Sequence, residues 1–177
     1  LTLTYTHGFK GVFGSNFDYN KIQLNLWHHA NTGVLGTSDY WITGGKIFGK
    51  LPYPLLDVAR GNQVFIYSDF NYSLMDVYEF VSDQYVHLTY IQHFEGLFLN
   101  KIPFLRKLKW REVTTAKAVW GSVNQKNRNT LIFPSTLKAL DKGPYIEASA
   151  GIENIFKLFR IDAFWRLNYK LPNAFDN

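Results

Sequence analysis

Polar and apolar residues alternate with a period close to two along most of this chain, and a period of 3.6 is rare. The clearest case is Phe159–Tyr169, where Ile161, Ala163 and Trp165 alternate with charged or polar side chains. Because successive side chains of a strand point to opposite faces, the pattern predicts a strand with one apolar and one polar face. Its length also fits the roughly 9–11 residues that a tilted strand needs to cross a bilayer.

The same alternation predicts further strands. They are Asn20–His28, Asp83–Phe94, Lys107–Trp120 and Pro144–Glu153, with less regular alternation at Leu1–Thr6, Ser38–Phe48 and Gln63–Tyr67. With the last segment these make about eight strands, an even number as in bacterial single-chain barrels. Glu112 falls on the otherwise apolar face of its strand, which indicates a flaw in the pattern or a bulge. We therefore predict an all-β, antiparallel fold.

The two faces of the strands bear on the choice between a membrane barrel and a soluble barrel or sandwich. A soluble sheet would turn its apolar face inward. Here long charged side chains recur on the polar faces, while Trp and Tyr lie towards strand ends on the apolar faces, as in the aromatic girdles of membrane barrels. The candidate lipid-facing or girdle residues are Trp110, Trp120, Trp165 and Tyr169. The pattern favours an antiparallel transmembrane β-barrel.

Composition narrows the classes of function. The 177 residues include no cysteine, which excludes disulfides, thiolate catalysis and Cys-ligated zinc. No run of 18 or more apolar residues is present, so a chain that crosses a membrane must do so as a closed barrel. The formal charge of +5 suits nucleic acid, anionic lipid or an acidic substrate without choosing among them. Because the chain opens inside an alternating segment, we expect an N-terminal part to be missing.

Charged residues on the polar faces are candidates for a network in the lumen of the barrel. They are Glu79, Asp83, Lys109, Arg111, Glu147, Glu153, Arg160, Asp162 and Arg166. Cross-strand ion pairs are expected between the charges of the last strand and Glu147 and Glu153 of the preceding one. Glu79 and Asp83, at (i, i+4) spacing, would share a face of a helical turn and suit acid–base chemistry or a cation. The favoured interpretation of these two residues is nevertheless a polar lumen segment paired with Arg or Lys from facing strands.

Other candidate chemistry is weaker. A basic stretch suits lumen lining or lipid phosphates better than nucleic acid, because Trp110 lies on the opposite face from Lys109 and Arg111. Its members are Lys101, Arg106, Lys107, Lys109 and Arg111. His87 and His93 would stand about 20 Å apart along a strand, too far for one zinc ion. No motif brings Ser149 to His87 as a hydrolase dyad would need. We expect no catalytic site, metal, cofactor or nucleic-acid partner.

Several segments, by their order and spacing, carry a resemblance to a known family. They are Gly49–Leu56, Gly61–Asn62, Leu74–Met75, Glu79–Asp83, His93–Gly96, Asn100–Pro103, Leu105–Val113, Gly151–Phe156, Arg160–Asp162 and Trp165–Leu167. On these segments the chain resembles a Bacteroidota outer-membrane family of unassigned function. Its members join a carboxypeptidase-like regulatory domain to a C-terminal surface-antigen barrel similar to those of BamA and TamA. The resemblance runs over nearly the whole chain.

One motif departs from that superfamily. The BamA-like proteins carry an Arg-Gly-aromatic motif on an extracellular loop that folds into the lumen. The nearest text here is Arg60-Gly61-Asn62, with Asn in place of the aromatic residue. We therefore do not expect Arg60 to have the role of that motif.

The resemblance implies a location in the bacterial outer membrane. It makes residues 1–177 the C-terminal part of a longer protein and the last half of a barrel of about sixteen strands. A self-contained barrel of about eight strands is the alternative, since eight strands close around a side-chain-filled interior. The implied partners are membrane lipids and lipopolysaccharide, other envelope proteins, and the missing N-terminal strands and periplasmic domain of the same protein.

The last strand also resembles the C-terminal signal by which barrels are recognised for insertion. The residues of that signal are Phe159, Ile161, Ala163, Trp165, Leu167 and Tyr169. The resemblance implies a non-enzymatic barrel that acts in the biogenesis of envelope proteins or lipids. A weak seam between first and last strands would expose edges for β-augmentation. The alternatives are a passive channel or receptor for small solutes, a structural subunit of an outer-membrane complex, and an outer-membrane hydrolase.

Overall fold

The chain folds into strands with few helical residues, so the all-β prediction is confirmed. The computed structural model describes residues 1–11, 14–62, 64, 66–128 and 137–169. The strands are β1 (Thr2–Gly8), β2 (Tyr19–Asn31), β3 (Thr37–Gly49), β4 (Asp57–Val58), β5 (Val81–Ser82), β6 (Gln84–His93), β7 (Arg111–Ser122), β8 (Tyr145–Ile155) and β9 (Phe159–Arg166). The helices are α1 (Pro103–Leu108) and α2 (Gln125–Arg128), with 3-10 turns at Gly33–Leu35, Tyr53–Leu55 and Leu99–Lys101. No helix among the described residues is long and apolar enough to cross a membrane.

Seven strands form one antiparallel sheet in the order β1-β2-β3-β6-β7-β8-β9, and β4 and β5 pair separately. All neighbours in this sheet are consecutive in the chain except β3 and β6, which are separated by residues 50–83. β1 and β9 are edge strands of the sheet, which is not closed into a barrel within the described residues. The described chain therefore does not form the alternative, a self-contained barrel of about eight strands.

Two strand predictions differ from the structure. The segment Gln63–Tyr67 falls partly on residues outside the described set, and its described members Val64, Ile66 and Tyr67 belong to no strand. The strand predicted from Lys107 begins only at Arg111, because helix α1 begins at Pro103 and continues to Leu108. Proline fixes a helical φ and is favoured in the first turn, so it overrides the alternation that follows.

The sheet exposes its apolar face, which we call the outer face. One row of register partners, Leu26, Ile42, Leu88, Ala118 and Ile146, crosses five adjacent strands of that face. Other exposed apolar residues of the outer face include Leu3, Ile22, Leu24, Val86, Trp120, Ile161 and Trp165. In β9 the exposed and half-buried residues alternate strictly, and the exposed residues are all apolar. A water-soluble sheet has the opposite arrangement.

The opposite face, which we call the inner face, is polar and covered. The next row of register partners carries Lys117, Glu147 and Arg166 on β7, β8 and β9. Lys117 is 2% exposed and Glu147 1% exposed. The described part of residues 50–80, here called the covering segment, lies over this face from β6 to β9 and buries it there.

Apolar side chains of the covering segment also pack on the inner face. One cluster holds Leu51, Leu56, Ile47 and Tyr85, and a second holds Tyr72, Met75, Phe80, Val119 and Tyr145. Gly61 makes this path possible, since a Cβ atom there would lie 2.3 Å from the carbonyl oxygen of Asp76. The core is therefore the layer between the sheet and its covering segment.

Candidate functional site

The contact between the inner face and the covering segment holds Glu79, Lys117 and Glu147, three of the four buried charged residues in the described part of the chain, and it is the candidate functional site. At the β9 end, Arg166 forms a two-bond pair with Glu79 of the covering segment. Its Nη2 lies 2.6 Å from Oε1 and its Nη1 lies 3.1 Å from Oε2. The side chains are only 8% and 2% exposed. Since a buried charge needs a partner, this pair fixes the segment to the last strand.

Lys117 holds the middle of the covering segment. Its Nζ donates to the carbonyl oxygens of Ser68, at 2.7 Å, and Asn71, at 2.6 Å. The same ammonium lies 4.9 Å from the ring centroid of Tyr67. A buried cation thus satisfies two backbone carbonyls that the segment could not pair by itself.

Glu147 accepts hydrogen bonds from backbone N–H groups of the covering segment. Its Oε1 accepts the N–H of Ser73 at 2.8 Å, and its Oε2 accepts the N–H of Leu74 at 3.1 Å and the hydroxyl of Tyr145 at 3.0 Å. Lys117 and Glu147 are register partners on adjacent strands. Lys117 therefore donates to backbone carbonyls of the covering segment, and Glu147 accepts from the backbone amides that follow them.

Arg160 and Asp162 close the site near the edge of the sheet. The Arg160 Nε lies 2.7 Å from Asp162 Oδ2, and its Nη2 donates to Thr115 at 3.0 Å. The guanidinium lies 4.0 Å above the Tyr67 ring. Burial raises the pKa of Tyr67 to about 12, so its hydroxyl remains protonated at neutral pH.

His87 links the site to the other half of the sheet. Its Nε2 lies 2.8 Å from Asp57 Oδ2, and its Nδ1 lies 3.0 Å from the Tyr72 hydroxyl. That hydroxyl donates to the carbonyl of Ala118 at 2.9 Å. Burial raises the pKa of Tyr72 above its ordinary value. Beyond His87 the inner face is open, with a cavity of about 530 Å³ bounded by Trp27, Trp41 and Phe70.

Replacing Lys117 by Met is expected to loosen the covering segment, because the carbonyls of Ser68 and Asn71 lose their donor. Leaving buried acceptors unsatisfied costs about 1–3 kcal/mol, so the free energy of unfolding should fall by that amount. Trypsin cleavage after the exposed Arg60 measures release of the segment. Lys46→Met, at an exposed lysine of β3, is the control, and equal cleavage rates in both variants would contradict the assigned role of Lys117.

The predicted lumen residues do not form one network. Arg166 meets Glu79, and Arg160 meets Asp162, whereas the expected cross-strand pairs with Glu147 and Glu153 are not formed. Glu153 instead contacts His93 Nδ1, at 2.9 Å. These expected ion pairs were wrong because the covering segment brings its own charge and backbone groups to the strands.

Glu79 and Asp83 also separate. No helix forms there, and Asp83 accepts the N–H of Asn124 at 2.6 Å and the Nδ2–H of Asn127 at 2.9 Å. The carboxylate-pair alternative is therefore wrong, and Glu79 pairs with Arg166 of β9, as the favoured interpretation expected for this residue. Ser149 likewise bonds Asp162, at 3.2 Å, and not His87. Among the described residues no group of three His, Asp or Glu side chains is placed to hold a metal ion.

Four further predicted residues lie elsewhere than expected. Lys109 and Arg111 are exposed at one end of the sheet, where Arg111 pairs with Glu95 at 2.7 Å, so neither is in the polar inner layer. Trp110 precedes β7 and lies on no strand. Tyr169 follows β9 and packs on Phe80, with its hydroxyl donating to the Gly143 carbonyl at 2.8 Å. Turns of the chain place Lys109, Trp110 and Tyr169 outside the strands, and Arg111 is the first residue of β7.

The remaining girdle and signal residues follow the alternation. Trp120, Phe159, Ile161, Trp165 and Leu167 are among the exposed large apolar side chains, and Ala163 is exposed beside them. Lys117 is the main site residue that the sequence did not single out. Its signal was a lysine in the middle of an alternating strand, on the face opposite Ala116 and Ala118.

The fold and site define a class: an all-β chain whose antiparallel sheet exposes its apolar face and buries a charged face under its own covering segment. Residues 1–127 match the C-terminal domain of a family of unknown function, DUF5686. The chain belongs to this family. Comparison with curated proteins and with solved structures found no match.

Proposed function

We propose that this chain is part of a β-barrel of the bacterial outer membrane that is not an enzyme and acts in the biogenesis of envelope proteins or lipids. The observation that carries the proposal is the orientation of the sheet. Ile161 and Trp165 are 66% and 52% exposed, while Lys117 and Glu147 are almost fully buried. Exposed apolar rows across several strands are costly in water and favourable in hydrocarbon.

The open edges of the sheet support a larger barrel. Hydrocarbon offers no hydrogen-bond partners, so every strand edge inside a membrane must be paired. Within the described chain β1 and β9 each pair on one side only. In our proposal the N-terminal strands of the same protein close the barrel, consistent with the resemblance to BamA-like barrels of about sixteen strands.

The covering segment favours an assembly or translocation role over a passive channel. It occupies the inner face along β7, β8 and β9, where a wide pore would need free space. β9 has only eight residues and a register irregularity against β8. A short last strand suits a seam that opens for β-augmentation by a client strand.

The seam is tested with a photo-crosslinking amino acid at Ala163 of β9 in cells that make the full-length protein. The same amino acid at Ile42 of β3 is the control, because β3 exposes this residue on the same face but lies two strands from the β1 edge and four strands from the β9 edge. We expect newly made outer-membrane proteins crosslinked at position 163 and lipid alone at position 42. Identical products at the two positions would contradict the seam.

Planar-bilayer recordings separate the assembly role from the channel. The covering segment should keep the steady conductance of the purified full-length protein low, and the Arg166→Met variant should raise it by releasing that segment. A large steady current in the unaltered protein would favour the passive channel instead.

A further inference from the structure

Three chain connections meet at one end of the sheet and form a continuous surface, here called the tip surface. They are residues 32–36 between β2 and β3, residues 94–110 between β6 and β7, and residues 156–158 between β8 and β9. Gln92 Nε2 donates to the Leu35 carbonyl at 2.6 Å, and Asn154 Nδ2 donates to the Lys109 carbonyl at 2.7 Å. These bonds tie the first connection to the end of β6 and the second connection to the end of β8.

Large apolar side chains project from every connection of the tip surface. Their exposed fractions are Val34 85%, Leu35 51%, Phe98 58%, Ile102 49%, Phe104 70%, Phe156 78% and Leu158 84%. Leu158 continues directly into Phe159 and Ile161 of the outer face. The tip surface thus extends the apolar outer face around the end of the sheet. An exposed apolar surface of this kind marks a site that contacts a partner or a membrane.

The same surface is strongly basic. The three connections carry Lys101, Arg106, Lys107, Lys109 and Lys157, against a single acid, Glu95. Glu95 is paired with Arg111 at 2.7 Å. Nearby Glu112 accepts the N–H of Phe98 at 2.8 Å through its Oε1. Within the described chain, Arg106, Lys107 and Lys109 form no ion pair, so their charge is free for a partner.

We infer that the tip surface binds the headgroups of anionic phospholipids, and that it anchors this end of the protein at one membrane surface. Phenylalanine and leucine enter the boundary between headgroups and acyl chains, and lysine and arginine extend from it to the phosphates. Several cations beside an apolar surface attract anionic lipid cooperatively. The inference rests on the proposed membrane location and adds a lipid preference and an orientation.

The test uses the full-length protein in bilayers, with a bimane on a cysteine at position 104 or, separately, at position 88 of the outer face. Brominated phosphatidylglycerol and brominated phosphatidylcholine are compared as quenchers in bilayers of one overall charge. We expect phosphatidylglycerol to quench position 104 at least about twofold more strongly, a preference lost at high salt. At position 88 the two lipids should quench equally.

Two triple variants then separate charge at the tip from charge in general. Arg106→Gln with Lys107→Gln and Lys109→Gln should bring the quenching ratio at position 104 close to one. Lys10→Gln with Lys50→Gln and Lys142→Gln removes equal charge from exposed lysines in other connections and should leave the ratio unchanged.

The outcomes distinguish the two proposals. Quenching at position 88 with none at position 104 overturns the anchor and keeps the membrane barrel. Equal quenching by the two lipids at position 104 also overturns the anchor and keeps the membrane barrel. Protection of position 104 by an acidic protein partner would overturn the anchor in the same way. No quenching at either position overturns the membrane proposal itself, and the anchor with it.

Discussion

Replacing Arg166 by Met is expected to lower the free energy of unfolding by about 3–5 kcal/mol, because it leaves the buried carboxylate of Glu79 without its cation. The other cation near Glu79 is Lys138, whose Nζ is 3.7 Å away and whose side chain is 53% exposed. The covering segment should separate from β9 before the sheet unfolds. Urea titration of the full-length protein in bilayers, with trypsin cleavage after Arg60, measures both effects.

Two controls define the origin of this loss. The double variant Glu79→Leu with Arg166→Met removes both charges, and it should recover most of the stability. Arg111→Met breaks an exposed pair, with both side chains 45% exposed, and should cost less than about 1 kcal/mol. If Arg166→Met were no more destabilising than Arg111→Met, the covering segment would not be held by this pair.

Replacing Leu88 by Arg is expected to impair insertion, because Leu88 lies at the centre of the apolar row across the outer face. Its register partners are Ile42 and Ala118. An arginine facing lipid at the bilayer midplane costs about 2–4 kcal/mol in a membrane barrel. The yield of inserted protein after refolding into bilayers, and its stability to urea, provide the measurement.

The adjacent residue provides a matched control for Leu88→Arg. Thr89 lies on the inner face and borders the cavity of about 530 Å³, where an arginine can reach water. Thr89→Arg should therefore insert nearly as well as the unaltered chain. Equal losses in the two variants would mean that both faces are equally intolerant of charge, as in a protein core.

The fold could be predicted from the sequence where side-chain alternation is local and regular. The predicted segment Asn20–His28 lies within β2, and the predicted segment Pro144–Glu153 overlaps most of β8. The two faces of β9 also follow from the order of its residues. The prediction failed at Lys107–Trp110, where a proline-initiated helix interrupts the alternation. It also failed at Tyr169, where the chain turns inward after the last strand.

The site was less predictable than the fold. Alternation places Glu147 and Arg166 on one face but does not identify their partners, because those partners come from a segment about 70–90 positions away. The partners of Lys117 and Glu147 are backbone carbonyls and amides, which carry no sequence signal. Glu79 was a recognisable candidate, while its partner depended on the path of the covering segment.

We propose that the outer face meets lipid and that the inner face does not. Single cysteines at Leu24, Ile42 and Ile161 of the outer face, and at Asn25 and Thr43 of the inner face, test it directly. The chain has no cysteine of its own, so each introduced thiol reports one position. We expect a lipid-soluble quencher to reach only the first set and a water-soluble thiol reagent to modify the second set. Shielding of the first set from both reagents would make the apolar face a protein core and contradict the account.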